Sequence, residues 1–404
     1  MSQVDITTSH SASSSRKRVL FVAHDFPPGA GIGGGLRSAS FTCHLPSFGW
    51  LPKVFALDAG QERVPDVVRL KSLTPWRRPY ELGPYGWACA LHRHLRRIDE
   101  TFDLVYVSCP PFPQAFAAAA FARRRKLPLV VDFRDAWSLD PYQEGSRLKK
   151  LLYRHLFPSM ERALLGRADL LILNTSSALV AYQTLYPRYA HKMCWLPNGF
   201  DETAFPEASP AVGGDELVLI HAGRFGIGAR SPSNLLSAIA MARQDGCRVR
   251  LEILGDQPDS ARAEIAACGV GGAVTMLPQI SYQEAVAAMS AAGVLVLMQA
   301  PSNAAVQAVA GKTFDYLRAG RPILYIGPPG DNLDLVRSYA ARHEHPTDAP
   351  RAIADAIARL CEAWQRGELS EGHVDAAFAS RFERRVLAGR LAGHFDHLVD
   401  SSCP

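Results

Sequence analysis

Two trains of short runs rich in Val, Ile and Leu, each run followed by a helical stretch, constrain this chain more than any single motif. Runs of four to six mostly apolar residues read as strands covered on both faces, and helical crossovers between them imply a parallel sheet. In the first half, strands are expected at 19–24, 53–57, 104–108, 129–133, 170–173 and 193–196. The alternation stops in an aperiodic stretch containing Pro and Gly, then restarts with strands at 217–222, 250–254, 274–277, 294–298 and 323–326. Helices are expected at 36–45, 114–125, 146–166, 351–364 and 376–397. A chain of 404 residues suits two domains, each large enough for its own core. The expectation is an α/β protein of two Rossmann-like, doubly wound domains at 16–200 and 216–375. A linker at 201–215 joins them, a Ser- and Thr-rich disordered tail occupies 1–15, and a C-terminal helix lies within 376–404.

Composition narrows the partners. Lys plus Arg number 44 against 39 Asp plus Glu, and a formal charge of +5 falls short of a dedicated nucleic-acid binder, so no nucleic-acid partner is expected. A phosphorylated ligand or an anionic membrane surface is compatible with it. The eight cysteines form no Cys-x-x-Cys pair and read as reduced core residues of a cytoplasmic protein. Residues 1–15 lack the apolar core of a signal peptide. The longest nearly apolar run, 285–300, holds Ser290, Gly293 and Gln299 and is shorter than the ~20 residues that span a bilayer. The segment 75–97 mixes Trp76, Arg77, Arg78, Trp87 and Arg93 with an apolar helix. It reads either as an ordinary exposed helix or as a peripheral contact with the inner membrane face.

In open parallel sheets, ligands gather outside the carboxyl ends of the strands, so motifs that directly follow strands carry the functional reading. After the first strand comes His24-Asp25-Phe26-Pro27-Pro28, then a glycine cluster from Gly29 to Gly35 that leads into a helix. Glycines there let backbone amides approach a phosphate or sugar; a merely flexible loop is the alternative. Gly223 and Arg224 directly follow the strand at 217–222, and Arg230 lies six residues on. Paired guanidinium donors suit a diphosphate, and surface salt bridges are the alternative. The stretch Gly311-Lys312-Thr313-Phe314-Asp315 lacks the earlier glycine of a nucleotide-triphosphate loop and reads as a helix start. Lys312 would then face an anion and Asp315 a ribose hydroxyl, or the two would form a surface ion pair. Asp132-Phe133-Arg134-Asp135-Ala136-Trp137 also ends a strand and suits a polar ligand such as a sugar, unless its charges only order the loop. His92 with His94 and His343 with His345 have metal-like spacing but no Cys or carboxylate companions in a metal-site arrangement, and no Asp-x-Asp or Gly-x-Ser-x-Gly occurs.

Four stretches in this order resemble the retaining glycosyltransferases of family 4. They are Phe26-Pro27-Pro28 with Gly33-Gly34-Gly35, Arg134-Asp135-x-Trp137, Leu196-Pro197-Asn198-Gly199-Phe200-Asp201, and Lys312 through Pro322. The resemblance implies the GT-B fold, in which two Rossmann-like domains face each other across a cleft, the first binding the acceptor and the second the donor. It implies a nucleoside-diphosphate sugar as co-substrate, with no cofactor and no metal. The product would belong to polysaccharide, lipid-linked glycan or glycoconjugate biosynthesis, and a small-molecule acceptor is also open. Carried over by position, Gly33, Gly34, Gly35, Arg224, Arg230, Gln307, Lys312, Thr313 and Asp315 would bind the donor. His24, Arg134, Asp135 and Trp137 would bind the acceptor, and Arg224, Arg230 and Asp135 would serve catalysis. The family often has two glutamates where this chain has Gln307 and Asp315. That departure leaves open a catalytically silent scaffold, and a nucleotide-sugar epimerase or hydrolase on the same fold is a further alternative. The C-terminal helix is expected to cross back onto the first domain.

Overall fold

A computed structural model describes residues 16–28, 32–58, 60, 62–73, 83–139, 155–207, 214–225, 231–299, 308–369 and 374–402. Among the described residues the first half contains seven strands: β1 (Lys17–Val22), β2 (Trp50–Leu57), β3 (Val67–Leu70), β4 (Leu104–Cys109), β5 (Leu129–Phe133), β6 (Leu170–Leu173) and β7 (Met193–Trp195). They form one parallel sheet in the order β3-β2-β1-β4-β5-β6-β7. The helices connecting them include α1 (Ile32–His44), α2 (Gly83–Leu95), α3 (Pro113–Arg125), α4 (Phe157–Leu165) and α5 (Ser176–Leu185).

The second half contains β8 (Leu217–Ala222), β9 (Val249–Leu254), β10 (Val274–Leu277), β11 (Val294–Met298), β12 (Ile323–Ile326) and β13 (His343–Glu344). These form a six-stranded parallel sheet in the order β10-β9-β8-β11-β12-β13. Its helices are α6 (Ser233–Gln244), α7 (Asp259–Ala267), α8 (Tyr282–Ser290), α9 (Gly311–Ala319), α10 (Asp331–Tyr339) and α11 (Pro350–Gln365), followed by α12 (Ala376–Phe382) and α13 (Arg384–Ser402). In both sheets the order reverses beside the first strand of the half, at the ends of β1 and of β8, the place where open parallel sheets commonly bind ligands.

The period-2 alternation of strand side chains divides each half into two apolar layers. In β1, Leu20 and Val22 face α2 and α3, while Val19 and Phe21 face α1 and α13. In the second half, Leu217 and Leu219 face α6 and α11, and Ile220 faces the α8, α9 and α10 side. Two strands go beyond the expected set. β3 is an edge strand whose four residues are all half-buried, and β13 has only two residues, so neither shows a continuous apolar run. Within the helix expected at 146–166, the structure describes α4, and residues 146–154 lie outside the described residues.

The helix expected at 376–397 is two helices. Glu383 adopts an extended conformation (ψ 132°) and forms a parallel bridge with Phe200, so α12 and α13 pack on different halves. Phe378 and Phe382 of α12 join Phe200, Phe314 and Tyr339 in the second half. Leu387, Leu391 and Phe395 of α13 enter the first-half layer with Phe21, Trp50 and Tyr106. Each is fully buried and contributes about 1.5–3 kcal/mol at most. The partly exposed Lys17–Asp396 ion pair at 3.0 Å is worth about 0–1 kcal/mol, so apolar burial is what holds α13 across the junction. Residues 201–207 also dock on the second half: Phe205 is buried there and Arg318 pairs with Glu202.

At the crossover Gly199 has φ +103°, and a Cβ placed on it would lie 2.3 Å from the Phe382 carbonyl oxygen. Gly199→Ala is therefore expected to destabilise the protein by about 2–4 kcal/mol, read as a lowered urea midpoint, whereas Gly246→Ala, at φ +94° but with open space around it, costs less.

Candidate active site

The site is built from the carboxyl ends of both sheets. On the second half, β8 is followed by Gly223, whose φ of +118° turns the chain toward the exposed Arg224. Gln257, at the end of β9, staples this turn: its Nε2 donates to the carbonyls of Gly223 (3.0 Å) and Gly255 (2.8 Å), and its Oε1 accepts from the Phe225 amide (3.0 Å). From α9, Lys312 Nζ donates to the Ala222 carbonyl at 2.8 Å and lies 3.3 Å from His221 Nε2. One turn on, the Tyr316 hydroxyl accepts from the Ala222 amide at 2.8 Å. Two residues of one helix face thus grip the last residue of β8 and fix an ammonium group beside the Gly223–Arg224 turn.

Asp315 points elsewhere. It is buried, and the Tyr282 hydroxyl donates to its Oδ1 at 2.7 Å. Burial pushes its carboxyl above the ordinary aspartate range, against the opposing pull of the Arg384 charge and the Tyr282 hydroxyl. Arg384 lies over the Tyr282 ring at 5.4 Å and donates to the Gly199 carbonyl at 3.1 Å, so the carboxylate assigned to a ribose is continuous with the crossover. Thr313 is fully buried, and its hydroxyl donates to Asn332 Oδ1 at 2.6 Å; Asn332 donates in turn to Gln299 at 3.1 Å. Its hydroxyl is engaged inside the domain, where the sequence reading had put it on a ligand. Arg230 and Gln307 lie outside the described residues.

On the first half, the glycine cluster differs from the expected loop. α1 begins at Ile32, so Gly33, Gly34 and Gly35 form its first turn, with residues 29–31 outside the described set. A Cβ on Gly35 would meet Pro27 Cδ at 3.0 Å and the Asp25 carbonyl at 3.2 Å, so this glycine lets α1 pack against the turn after β1. In that turn His24 Nδ1 lies 2.8 Å from Asp25 Oδ1. Arg134 Nη2 stands 3.9 Å from Asp25 Oδ2, and its Nε stands 3.7 Å from the exposed Asp135. The structure therefore brings His24, Arg134 and Asp135 together and adds Asp25 to them. Trp137 is corrected: it is 2% exposed, its ring stacks on Phe112 at 4.5 Å, and it belongs to the core and not to a sugar platform. Its loop is ordered by the buried Glu161, which accepts from the hydroxyls of Ser138, Tyr182 (2.6 Å) and Tyr186 (2.7 Å).

A second buried carboxylate ties the site to the junction. Asp132 is fully buried at the end of β5 and accepts from Arg37 Nε of α1 at 2.8 Å and from the Tyr106 hydroxyl. Arg37 also donates to the carbonyls of Leu196 (2.9 Å) and Pro197 (2.5 Å). Burial opposes the Arg37 charge, and Asp132 together with Tyr106 more than offsets this, leaving the guanidinium pKa raised. Across the junction, the Ser177 hydroxyl and amide at the start of α5 donate to the Asp331 carboxylate at the start of α10. A cavity of about 230 Å³ lies here, lined by Thr175 and Trp195 from the first half and Val309, Phe314 and Asp331 from the second. Among the described residues no three His, Cys, Asp or Glu side chains gather as metal ligands.

Sequence reasoning did not single out His221, Gln257, Tyr282, Tyr316, Asn332, Arg37 or Arg384. Only His221, an imidazole within an apolar strand, carries a signal legible in one sequence.

Comparison with known proteins bears on the fold that carries this geometry. Residues 33–199 match the family model described as a glycosyl transferase 4-like domain. A search of curated proteins finds no match. Among solved structures, sucrose-phosphate synthase from Thermosynechococcus elongatus is 17% identical with a TM-score of 0.72, covering 96% of this chain and 100% of its own. The Anabaena protein HepE, in complex with UDP and glucose, is also 17% identical, with a TM-score of 0.65 over 95% of this chain and 100% of its own. A UDP-N-acetylglucosamine 2-epimerase shares the fold at 12% identity and a TM-score of 0.60, covering 95% and 97%. Two facing Rossmann-like parallel sheets of this kind define the GT-B fold, and the chain has it.

Two outcomes test the buried groups. Arg37→Met leaves Asp132 buried without its cation and is expected to cost about 3–5 kcal/mol in urea unfolding. For Asp315 the native pKa lies above the unfolded one, so the native state holds the extra proton between the two values, and its contribution to stability falls as pH rises through that window. Asp315→Asn keeps an acceptor for Tyr282 and is expected to raise the melting temperature at pH 7, with the gain vanishing below the unfolded aspartate pKa of about 3.9.

Proposed function

We propose that this protein is a glycosyltransferase that moves a sugar from a nucleoside-diphosphate sugar to an acceptor hydroxyl with retention and without a metal ion. The observation that carries the reading is the ammonium of Lys312, held by the Ala222 carbonyl beside the Gly223–Arg224 turn, at the point where the second sheet reverses its strand order. A fixed ammonium and an exposed guanidinium at such a crevice suit a diphosphate. The HepE structure in complex with UDP and glucose supports the same donor class.

In the proposed reaction the acceptor oxygen bonds to the anomeric carbon on the face from which the diphosphate departs, and the acceptor proton passes to the leaving phosphate oxygen. Arg224 and Lys312, with Arg230, stabilise the charge that grows on the diphosphate as the glycosidic bond breaks. Asp315, with Oδ1 accepting from Tyr282, keeps its other carboxylate oxygen for the ribose. The glycines at the start of α1 approach the donor from the opposite half, where backbone amides at a helix N-terminus favour an anion. His24, Arg134 and Asp135 contact the acceptor, Asp135 as the exposed carboxylate of the group. Enclosing donor and acceptor between the halves supplies orientation and excludes water.

The acceptor is a glycan, a lipid-linked precursor or a small molecule, and the working place is the cytoplasm or the inner membrane face. The peripheral reading draws on the basic ends of α2 and α3, with Arg93 and Arg123 exposed, and on the exposed Tyr85. No described helix is long and apolar enough to cross a membrane. The silent scaffold and the epimerase remain distinguishable by product: a transferase forms a glycoside, an epimerase a new nucleotide sugar, a scaffold neither.

The test is a thermal-shift panel of UDP, GDP, dTDP, ADP and CMP with their sugars, on wild type and Arg224→Ala. One nucleoside diphosphate at 100 times its dissociation constant is expected to add about 2.7 kcal/mol to the wild type and much less to the variant. A panel in which no nucleotide shifts the wild type removes the donor-site assignment.

A further inference from the structure

His221 is the penultimate residue of β8 and is 1% exposed, yet it is an imidazole in a strand otherwise made of Leu, Val, Ile and Ala. Its two ring nitrogens meet different partners. Nδ1 lies 3.0 Å from the Val296 carbonyl of β11, which can only accept, so Nδ1 carries the proton. The lone pair of the neutral ring is then on Nε2, 3.3 Å from the Lys312 ammonium, which can only donate. The ring plane is set by stacking on Phe225, with centroids 4.4 Å apart and planes 12° from parallel.

Lysine is a point charge on a flexible four-carbon stem, and its position has to be imposed from outside. Among the described residues the Ala222 carbonyl, at 2.8 Å, and His221 Nε2 converge on it. They draw Nζ to within 3.5 Å of the point where a Cβ on Gly223 would stand, so the absence of a side chain at Gly223 leaves the charge beside the turn. A phenylalanine at 221 could fill the same apolar space and stack on Phe225, so burial alone does not account for an imidazole there.

We infer that His221 is a positioning residue for diphosphate recognition: as the acceptor for Lys312 it holds the ammonium against the Gly223–Arg224 turn, where the two phosphates of the donor bind. This rests on the donor-site reading proposed above and adds a residue which neither the motifs nor the family match assigns.

The experiment is calorimetric binding on the full chain, using the nucleoside diphosphate selected by the panel and inorganic pyrophosphate as a base-free probe. Wild type, His221→Gln, His221→Asn, Lys312→Met and the two double variants with Lys312→Met are compared. The Gln carboxamide reaches far enough to accept from Lys312, whereas Asn reaches only the Val296 carbonyl. His221→Asn is expected to weaken nucleoside diphosphate binding about tenfold or more, the scale of a lost hydrogen bond to a charged group, while His221→Gln stays near wild type. In the Lys312→Met background neither substitution at 221 is expected to matter further. Equal losses for Gln and Asn, or an undiminished loss without Lys312, overturn the inference and leave the donor site standing. Failure of the wild type to bind any nucleoside diphosphate overturns both. Should the variants not fold, nitrogen-15 NMR of the wild-type histidines decides: a buried ring protonated on Nδ1 is expected for His221, and protonation on Nε2 overturns the assignment.

Discussion

The joint between the two halves depends on one close approach, the Gly199 backbone against the Phe382 carbonyl. Two chain segments cross there side by side: the Phe200 amide donates to Phe382 at 3.1 Å, and the Arg384 amide donates to Phe200 at 2.9 Å. The first crossing segment is fastened by two buried guanidiniums. Arg37 holds the carbonyls of Leu196 and Pro197 from the first half, and Arg384 holds that of Gly199. The planar fork of arginine presents its donors to several carbonyls in a fixed geometry, where lysine offers rotatable donors on a single point charge. Its charge is tolerable in the interior only because Asp132 faces Arg37. Asn198 is left as the residue between the two anchors on the first crossing strand.

The same anchors reach into the cleft. Arg37 stands on α1, whose first turn contains Gly33–Gly35, and Arg384 stands over Tyr282, which holds Asp315. The two edges of the cleft then differ in chemistry. The second half offers cations at the end of β8, with its carboxylate withdrawn into a hydrogen bond. The first half offers an alternating set of His24, Asp25, Arg134 and Asp135. A diphosphate fits the first description and a polyhydroxylated acceptor the second, so the asymmetry of charge parallels the proposed division between donor and acceptor.

Much of the fold was legible because parallel strands covered on both faces carry near-continuous apolar runs, and β1, β4, β5, β11 and β12 each contain one. β3 and β13 were not legible: edge strands need no continuous apolar run, and their pairing with β2 and β12 is what makes them strands. The break at Glu383 escaped for a related reason. Residues 376–397 are locally helix-compatible, and only the bridge to Phe200 forces the extended residue between α12 and α13.

Among site residues, the sequence by itself determined which chemistry follows which strand: Arg224 after β8, Lys312 at the opening of α9, and Arg134 and Asp135 after β5. Those are local facts of order and spacing. The tertiary structure alone decided which side chains stay accessible and which turn inward. Trp137 and Thr313, polar or amphipathic and placed at strand or helix ends, turn inward because Phe112 and Asn332 are waiting for them. His221 gains meaning only beside Lys312, 91 positions away in the chain. Side-chain direction depends on partners brought from distant segments, and spacing along one strand or helix carries no record of them.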